Sequence, residues 1–560
     1  MERLRTRRSV RMRTVALVVA VAVAAVSEVV VPPAGISTAQ TSRQSVLADA
    51  ACALPGEQIL RVWRGTRSDR SGDIQYVPRE PNFLGGGLPH AGPWDYTSWV
   101  PVFWYGPGYI RATGRIREPG TTADIAPTQA ELLGFKDFHA PDGKPMMEAL
   151  VPKPQRREPP QLIITLVWDA GGRGVLDTWP DSWPNLRRLI PEGTWYDFSV
   201  VGSSPTDTPP IHATMGTGAF PVHHGLLDQK QRMGDEMVTP WGHGPTLMLL
   251  PTLADLYDLS MNNKPLVGAI ASLGAHLGMI GHGAMWGGGD RDLAINREST
   301  GDEGAEAFKW NLRKTIQPYF KFPNYVNDLP TLKKYLPKAD AMDGSVDGAW
   351  RGHSFKSDPQ IRGGFDSPAR IPWQTSMVEQ VVKREGFGED KIPDLLYLNY
   401  KAIDNISHSY SVNSVEMQDT VRTQDADLKT MIKFLDKEVG QEKWVMVITA
   451  DHGAQFDPAI SGAFPISPEQ FRLNLTAAFD DSDSTPVVLE ARPTQVWLNT
   501  DELRRNGYTL SDVSVHIMNL TKSDFISEVP VAASEAGERL FDAAFPTEII
   551  DKLPCLSPRT

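Results

Sequence analysis

Asp169, Thr208, Asp404, His408, Asp451 and His452 are the residues of this chain whose types and neighbours suit them to chemistry. Asp169 closes the apolar run Gln161–Trp168, and Asp451-His452 follows a second such run, Val445–Thr449. Asp404 and His408 stand four apart shortly after a third, Leu395–Tyr400. Thr208 precedes Pro209-Pro210 inside the Ser-, Thr- and Pro-rich stretch Ser203–Gly225. Carboxylate oxygen and imidazole nitrogen are ligands for zinc-like divalent ions. A hydroxyl beside such ions can lose its proton near neutral pH and attack phosphorus. Together the set is equipped for metal-assisted hydrolysis of a phosphate or sulfate ester. Singly, each has a plainer use: Asp169 or Thr208 as a helix cap, Asp404 and His408 as an exposed helical pair.

The three apolar runs are rich in β-branched residues and lack alternation, the mark of strands buried on both faces. Between the last two, Met417, Val421, Leu428, Met431 and Leu435 recur at helical spacing, which predicts a helix over about 415–438. Strand, helix and strand in this order predict an α/β fold: a three-layer α/β/α sandwich with a mainly parallel central sheet. Ligands bind such sheets beyond the carboxyl ends of their strands, where the three aspartates fall. The catalytic core is expected over 161–286 and 386–550, with 287–385, rich in Gly, Asp, Lys and Trp, as an inserted cap or as surface decoration. Residues 151–160 read as a proline and charge linker. In 59–150, Gln58–Trp63 and Val100–Tyr105 read as strands and Pro127–Gly134 as a helix; residues 40–58 read as a tether.

A net charge of −12 argues against binding to a nucleic acid duplex or an anionic lipid surface. Residues 1–39 combine six arginines among the first 13 residues with the apolar run Val15–Val26 and a small-residue stretch, the pattern of an export signal. The alternative is an N-terminal anchor, but Glu28 leaves the run short of the ~20 residues a span requires. Either places the body outside the cytoplasm: periplasmic, cell-surface or extracellular. The two cysteines, Cys52 and Cys555, are read as a disulfide in such a compartment. Two unrelated thiols are the alternative.

The order of these elements resembles the alkaline phosphatase superfamily, most closely its type I phosphodiesterase/nucleotide pyrophosphatase branch. The resemblance rests on Pro205-Thr206-Asp207-Thr208-Pro209-Pro210-Ile211-His212, then Thr217-Gly218, Pro221 and His224-Gly225, with the Asp169, Asp404/His408 and Asp451-His452 motifs in the branch's order. It implies an alkaline-phosphatase-like fold and a hydrolase of small phosphate esters, with Thr208 as nucleophile. It further implies two divalent ions, zinc by family habit: one among Asp169, Thr208, Asp451 and His452, the other held by Asp404 and His408. His212 and His224 would brace the nucleophile loop, and the helix amides beyond Thr208 would help hold an anion.

This chain departs from that pattern in three places. The second ion normally has one more histidine after Asp-His-Gly, where only His516 follows here; the segment that should carry it resembles residues near the N-terminus instead. A circular rearrangement would let 59–150 complete the sheet, with His90 as the substitute ligand; His516, or water or another residue, are the alternatives. Ile211 stands where the diesterase branch has an Asn that helps hold a phosphoryl oxygen. Monoesterases of the branch place an Asn soon after His-Gly and a basic residue later, where Gln229 and, at best, His276 stand here. The sulfatase motif is absent. The expected protein is an exported two-metal phosphoric ester hydrolase. The alternatives are a phosphoryl transferase or mutase of the same superfamily, or a metal-stabilised binding protein without activity. Oligomeric state is not legible.

Overall fold

The computed structural model describes residues 38–242, 244–299, 308–481, 485–526 and 531–556. Most of the expected export segment therefore lies outside the described residues.

Nine strands form the main sheet: β1 (Val102–Tyr105), β2 (Gly114–Thr121), β3 (Leu162–Trp168), β4 (Thr194–Val200), β5 (Val267–Ile270), β6 (Leu293–Ser299), β7 (Phe308–Asn311), β8 (Asp394–Tyr400) and β9 (Trp444–Thr449). Their order is β7-β6-β5-β8-β3-β9-β1-β4-β2. The five central strands, β6 to β9 in this order, pair parallel; β1 and β7 run antiparallel to their neighbours. β3 is buried along its whole length and feeds two cores. Leu162, Ile164, Leu166 and Trp168 face one layer, and Ile163 and Val167 face the other. The first layer holds helices α2 (Arg370–Glu385) and α4 (Val415–Leu435), packed through Met377, Val381, Val421 and Leu428. The second holds α1 (Thr208–Thr217). This is the three-layer α/β arrangement.

A second, four-stranded antiparallel sheet orders Val488–Arg492, Gln495–Leu498, Ile74–Pro78 and Phe541–Pro546. Helices Pro468–Phe479 and Leu510–Asn519 build one core with it, through Phe471, Leu475, Val513 and Ile517. The other face is covered by helices Thr38–Ala53 and Gly56–Arg64, whose Leu47, Ala51, Ile59 and Val62 pack on Val77 and Phe545. Cys52 and Cys555 are bonded there.

Several expectations are corrected. Residues 40–58 are not a tether, because they are helical and bury apolar side chains. Gln58–Trp63 is helix rather than strand: Pro55 precedes it, Gly65 ends it, and its apolar residues cluster on one side. The 287–385 segment is not wholly an insert. Its β6 and β7 extend the main sheet and α2 is a core helix, so only about 312–369, short turns, the helix Leu336–Asp340 and the hairpin Ala349–Trp350/His353–Ser354, lies outside the sheet, and it still packs on the core through Leu332, Trp350 and Phe365. Residues beyond about 465 belong to the second sheet rather than to the catalytic core. Among the described residues no helix is long and apolar enough to cross a membrane.

Candidate active site

The carboxyl edge of the parallel strands gathers the chemistry. Asp169 follows β3, Asp451 lies just beyond β9, and Asp404 lies in α3 (Ala402–Tyr410), which Lys401 alone separates from the end of β8. Two glycines let these turns meet: a Cβ on Gly172 would fall 2.6 Å from the Cα of Gly453, and one on Gly453 would fall 2.0 Å from the Tyr96 carbonyl oxygen. Ala170 sits at φ 59, a conformation rare for a residue with a side chain, and its N–H donates to Asp451 Oδ1 at 3.0 Å.

Thr208 opens α1, which ends at Gly218 in the left-handed conformation. His212, one turn on, holds the Thr208 carbonyl through Nδ1 at 2.9 Å and approaches Asn399 with Nε2 at 3.0 Å. His224 Nε2 bonds the Thr214 hydroxyl at 3.1 Å. The loop carrying His90 is stitched to the nucleophile loop: His90 Nδ1 meets the Thr206 carbonyl at 2.8 Å, the Thr206 hydroxyl donates to the His90 carbonyl, and Ser204 Oγ donates to the Ala91 carbonyl at 3.2 Å. Arg61 anchors the same loop through the Pro93 carbonyl at 2.8 Å.

His90 Nε2 and His408 Nε2 each lie 3.4 Å from Asp404 Oδ1, and His452 Nε2 lies 3.8 Å from it. His452 Nε2 is also 3.2 Å from Asp451 Oδ2 and 3.7 Å from Asp169 Oδ1. The His90 and His452 rings stack at 3.5 Å. Asp404 Oδ1, Asp451 Oδ2 and His452 Nε2 are buried without a hydrogen-bond partner. Buried orphan acceptors of this kind cost several kcal/mol unless a cation meets them. A tetrahedral ion with bonds of ~2.0–2.2 Å spaces its ligands roughly 3.3–3.5 Å apart. The donor set therefore fits a divalent ion, and His90-Asp404-His452, Asp169-Asp451-His452 and Asp169-His212-His276 are groups able to hold one; the first two share His452 Nε2, which can serve only one ion at a time.

Lys401 was not singled out from the sequence. Its Nζ lies 2.9 Å from Asp169 Oδ1, 2.8 Å from Asp404 Oδ2 and 3.3 Å from Thr208 Oγ1. Burial raises the carboxyl pKa of both aspartates, but Lys401 and the neighbouring histidines outweigh it and hold both well below the usual range. Burial lowers His452, yet Asp451, Asp169 and Asp404 overcome it and raise the imidazole to about 9. The place of Lys401 directly after the apolar run Leu395–Tyr400 is the one signal the sequence offers for it. Asn399, which donates to Asp169 Oδ2 at 2.8 Å, was also missed.

Two of the three expected substrate contacts change. Ile211 is wholly buried in the apolar layer under α1 and cannot face substrate. His276 is equally buried; its Nε2 braces Asp169 Oδ2 from behind at 3.2 Å. Gln229 does line the cavity, with Nε2 donating to Asp207 Oδ1 at 2.9 Å, in a network with Arg492 and Asp228. The expected amide cradle shrinks, since Pro209 and Pro210 have no N–H and the Ile211 N–H bonds the Asp207 carbonyl at 3.3 Å. His516 is remote, bonded to Asn474 in the second sheet's core at 2.6 Å. His243 lies outside the described residues.

Beside the cluster opens a cavity of about 730 Å³, bounded by Thr208, Lys401, Asp404 and His408 at its base and several arginines above. The fold and this site define a phosphoric ester hydrolase of the alkaline phosphatase superfamily. The family model described as type I phosphodiesterase / nucleotide pyrophosphatase matches residues 163–524, and the chain belongs to that family. Among curated relatives it is 25% identical to a protein of Myroides odoratus named calcium-transporting ATPase, over 69% of this chain and 77% of that one. It is 24% identical to alkaline phosphatase PhoV of Synechococcus elongatus, over 54% and 61%, and 22% identical to alkaline phosphatase PafA of Elizabethkingia meningoseptica, over 65% and 74%. The crystal structure of wild-type PafA superposes with a TM-score of 0.50 at 18% identity, covering 69% of this chain and 84% of that one, a likeness of fold.

Proposed function

We propose that the chain hydrolyses small phosphate esters through a covalent phospho-threonine on Thr208, with two divalent ions, zinc by the chemistry of the donor set. The observation that carries this reading is the convergence of three imidazoles and two orphaned carboxylate oxygens in one cluster, which Lys401 links to the Thr208 hydroxyl. Asp169, Thr208, Asp451 and His452 would hold one ion, and Asp404, His408 and His90 the other. The ions would supply Lewis-acid stabilisation of the attacking and leaving oxygens.

The remaining work falls to the chain itself. Lys401, kept protonated by its carboxylates, favours the alkoxide of Thr208. Thr208 Oγ1 attacks phosphorus, its proton leaves to solvent through the open cavity, and the departing alcohol oxygen takes a proton back. Water then releases phosphate from Thr208. His212 fixes the nucleophile's backbone, while His276 and Asn399 hold Asp169 in place. The same reading takes 59–150 as a circularly relocated part of the core, supported by β1 in the sheet and His90 in the cluster. It places the protein outside the cytoplasm, supported by the Cys52–Cys555 bond.

The test is a panel of aryl phosphate mono- and diesters, with and without chelator, on wild type and Thr208→Ala. Turnover that is unchanged in the variant refutes the nucleophile. Turnover indifferent to chelation refutes the ions.

A further inference from the structure

One wall of the cavity carries far more positive charge than a single phosphoryl group needs. Arg297 of β6, Arg362 of the preceding loop and Arg370 at the start of α2 surround the Phe308–Phe365 stack, whose rings lie 4.2 Å apart. Their guanidinium carbons sit 4.4, 5.4 and 4.0 Å from the Phe365 ring centre. Such stacking fixes the planes of the guanidinium groups and leaves their N–H edges to choose other partners. Asp366 is the carboxylate among them: Arg362 Nη2 donates to it at 2.8 Å and Arg370 Nη1 lies 3.8 Å away, while Asn405 also donates to it. Three guanidiniums against one carboxylate leave two positive charges. Arg297 Nε is buried with no hydrogen-bond partner.

The cluster adjoins the ligand cage without belonging to it. Arg370 reaches the Ser272 hydroxyl and, at 3.5 Å, the Lys401 carbonyl, and none of the three arginines pairs with Asp169, Asp404 or Asp451 among the described ion pairs. Burial depresses the guanidinium pKa values of Arg297, to about 10, and Arg370, to about 9, with mutual repulsion adding to it and Asp366 acting the other way; at Arg362, Asp366 outweighs burial and raises the value. Arginines crowded in this way around an open cavity are stabilised by a bound oxyanion.

We propose that Arg297, Arg362 and Arg370 form a second anion subsite, so that the favoured substrates are small esters carrying another phosphate on the alcohol portion. This rests on the hydrolase reading above. The two surplus charges match one phosphate monoester dianion, whose oxygens the N–H groups not taken by Asp366, Ser272 and the Lys401 carbonyl can meet, whereas a neutral sugar or base would leave the charge uncompensated. Thr208 and Lys401, which would meet the phosphoryl group under attack, line the same cavity from other elements than the three arginines.

The test uses matched alkyl esters that differ only in the second group: 1,3-propanediol bisphosphate against 3-hydroxypropyl phosphate. Wild-type kcat/KM is expected to favour the bisphosphate at least tenfold, and Arg297→Gln and Arg362→Gln to reduce that ratio severalfold or more. Calorimetric binding of both compounds to Thr208→Ala protein provides a readout free of turnover, with the same expected preference. A wild-type preference near unity in both assays overturns the subsite, whatever the variants do. A preference that survives both substitutions overturns the assignment to these arginines. Tight, discriminating binding without hydrolysis of either ester upholds the subsite and sinks the hydrolase reading. Hydrolysis of both without discrimination does the reverse.

Discussion

Lys401 Nζ lies 3.3 Å from the hydroxyl of Thr208 and is held there by two carboxylates that also belong to the ligand cage. The ammonium thus favours the ionised nucleophile and competes with cations for the charge of the Asp169 and Asp404 carboxylates. Two opposed effects follow for Lys401→Met. Turnover is expected to fall by about 10²-fold, the scale of one lost electrostatic contact in a dry site. Zinc is expected to raise the melting temperature of the variant more than that of wild type, because the internal competitor is gone. Thermal melts of chelator-treated protein, with and without added zinc, measure the second effect; equal shifts in the two proteins contradict it.

Thr208→Ala is expected to lose at least ~10³-fold in kcat, as for removal of a covalent nucleophile. Thr208→Ser keeps the hydroxyl and should retain a measurable fraction. Acid quenching during turnover of a labelled phosphate ester should trap label on wild-type protein and none on the alanine variant. Label trapped on both would move the nucleophile elsewhere.

His90→Ala and His516→Ala form a matched pair. His90 Nε2 is 3.4 Å from Asp404 Oδ1, whereas His516 is bonded to Asn474 far from the cage. The first is expected to weaken one bound ion by about tenfold or more, lowering metal content after dialysis; the second should leave content at the wild-type level. Elemental analysis of both proteins decides. Loss of metal from the His516 variant alone would restore the ligand position that the family pattern leads one to expect.

The sequence made the cage legible because β3, β8 and β9 are buried on both faces, so each appears as an uninterrupted apolar run whose end is visible. It hid Lys401, since a lysine in one sequence carries no sign of burial and only the surrounding carboxylates make it stable there. Arg297, Arg362 and Arg370 were hidden for a different reason. They come from a strand, a loop and a helix, and no spacing links them. The strand Leu293–Ser299 is half polar and shows its place only once β5 is beside it. Ile59, Leu60 and Val62 illustrate the commonest ambiguity: a short apolar run fits a strand or a helix equally, and here packing against Val77 and Phe545 selected the helix.

Asp427 offers a stability test independent of the active site. It sits on α4 with its carboxylate buried between α2 and β8, accepting from the Thr375 hydroxyl, which also meets Tyr400 OH at 2.5 Å. Burial raises its pKa from 3.8 to about 7, against the weaker pull of Thr375. A carboxyl with a raised folded pKa takes up a proton on folding. Its share of stability is fully present below about pH 4, declines as pH rises towards about 7, and is gone above that, because the folded state must then bury a charge that the unfolded chain leaves in water. Asp427→Asn can still accept from Thr375 but has no proton to lose. The variant is expected to match wild type near pH 4 and to exceed it progressively up to pH 7, by a few kcal/mol at most given ~1.4 kcal/mol per pKa unit. Denaturant unfolding at pH 4.5, 6 and 8 measures the gap. A constant difference would show that the Asp427 carboxyl is ionised throughout and that its burial is compensated, in which case Thr375 and the far end of Lys338 become the groups to replace.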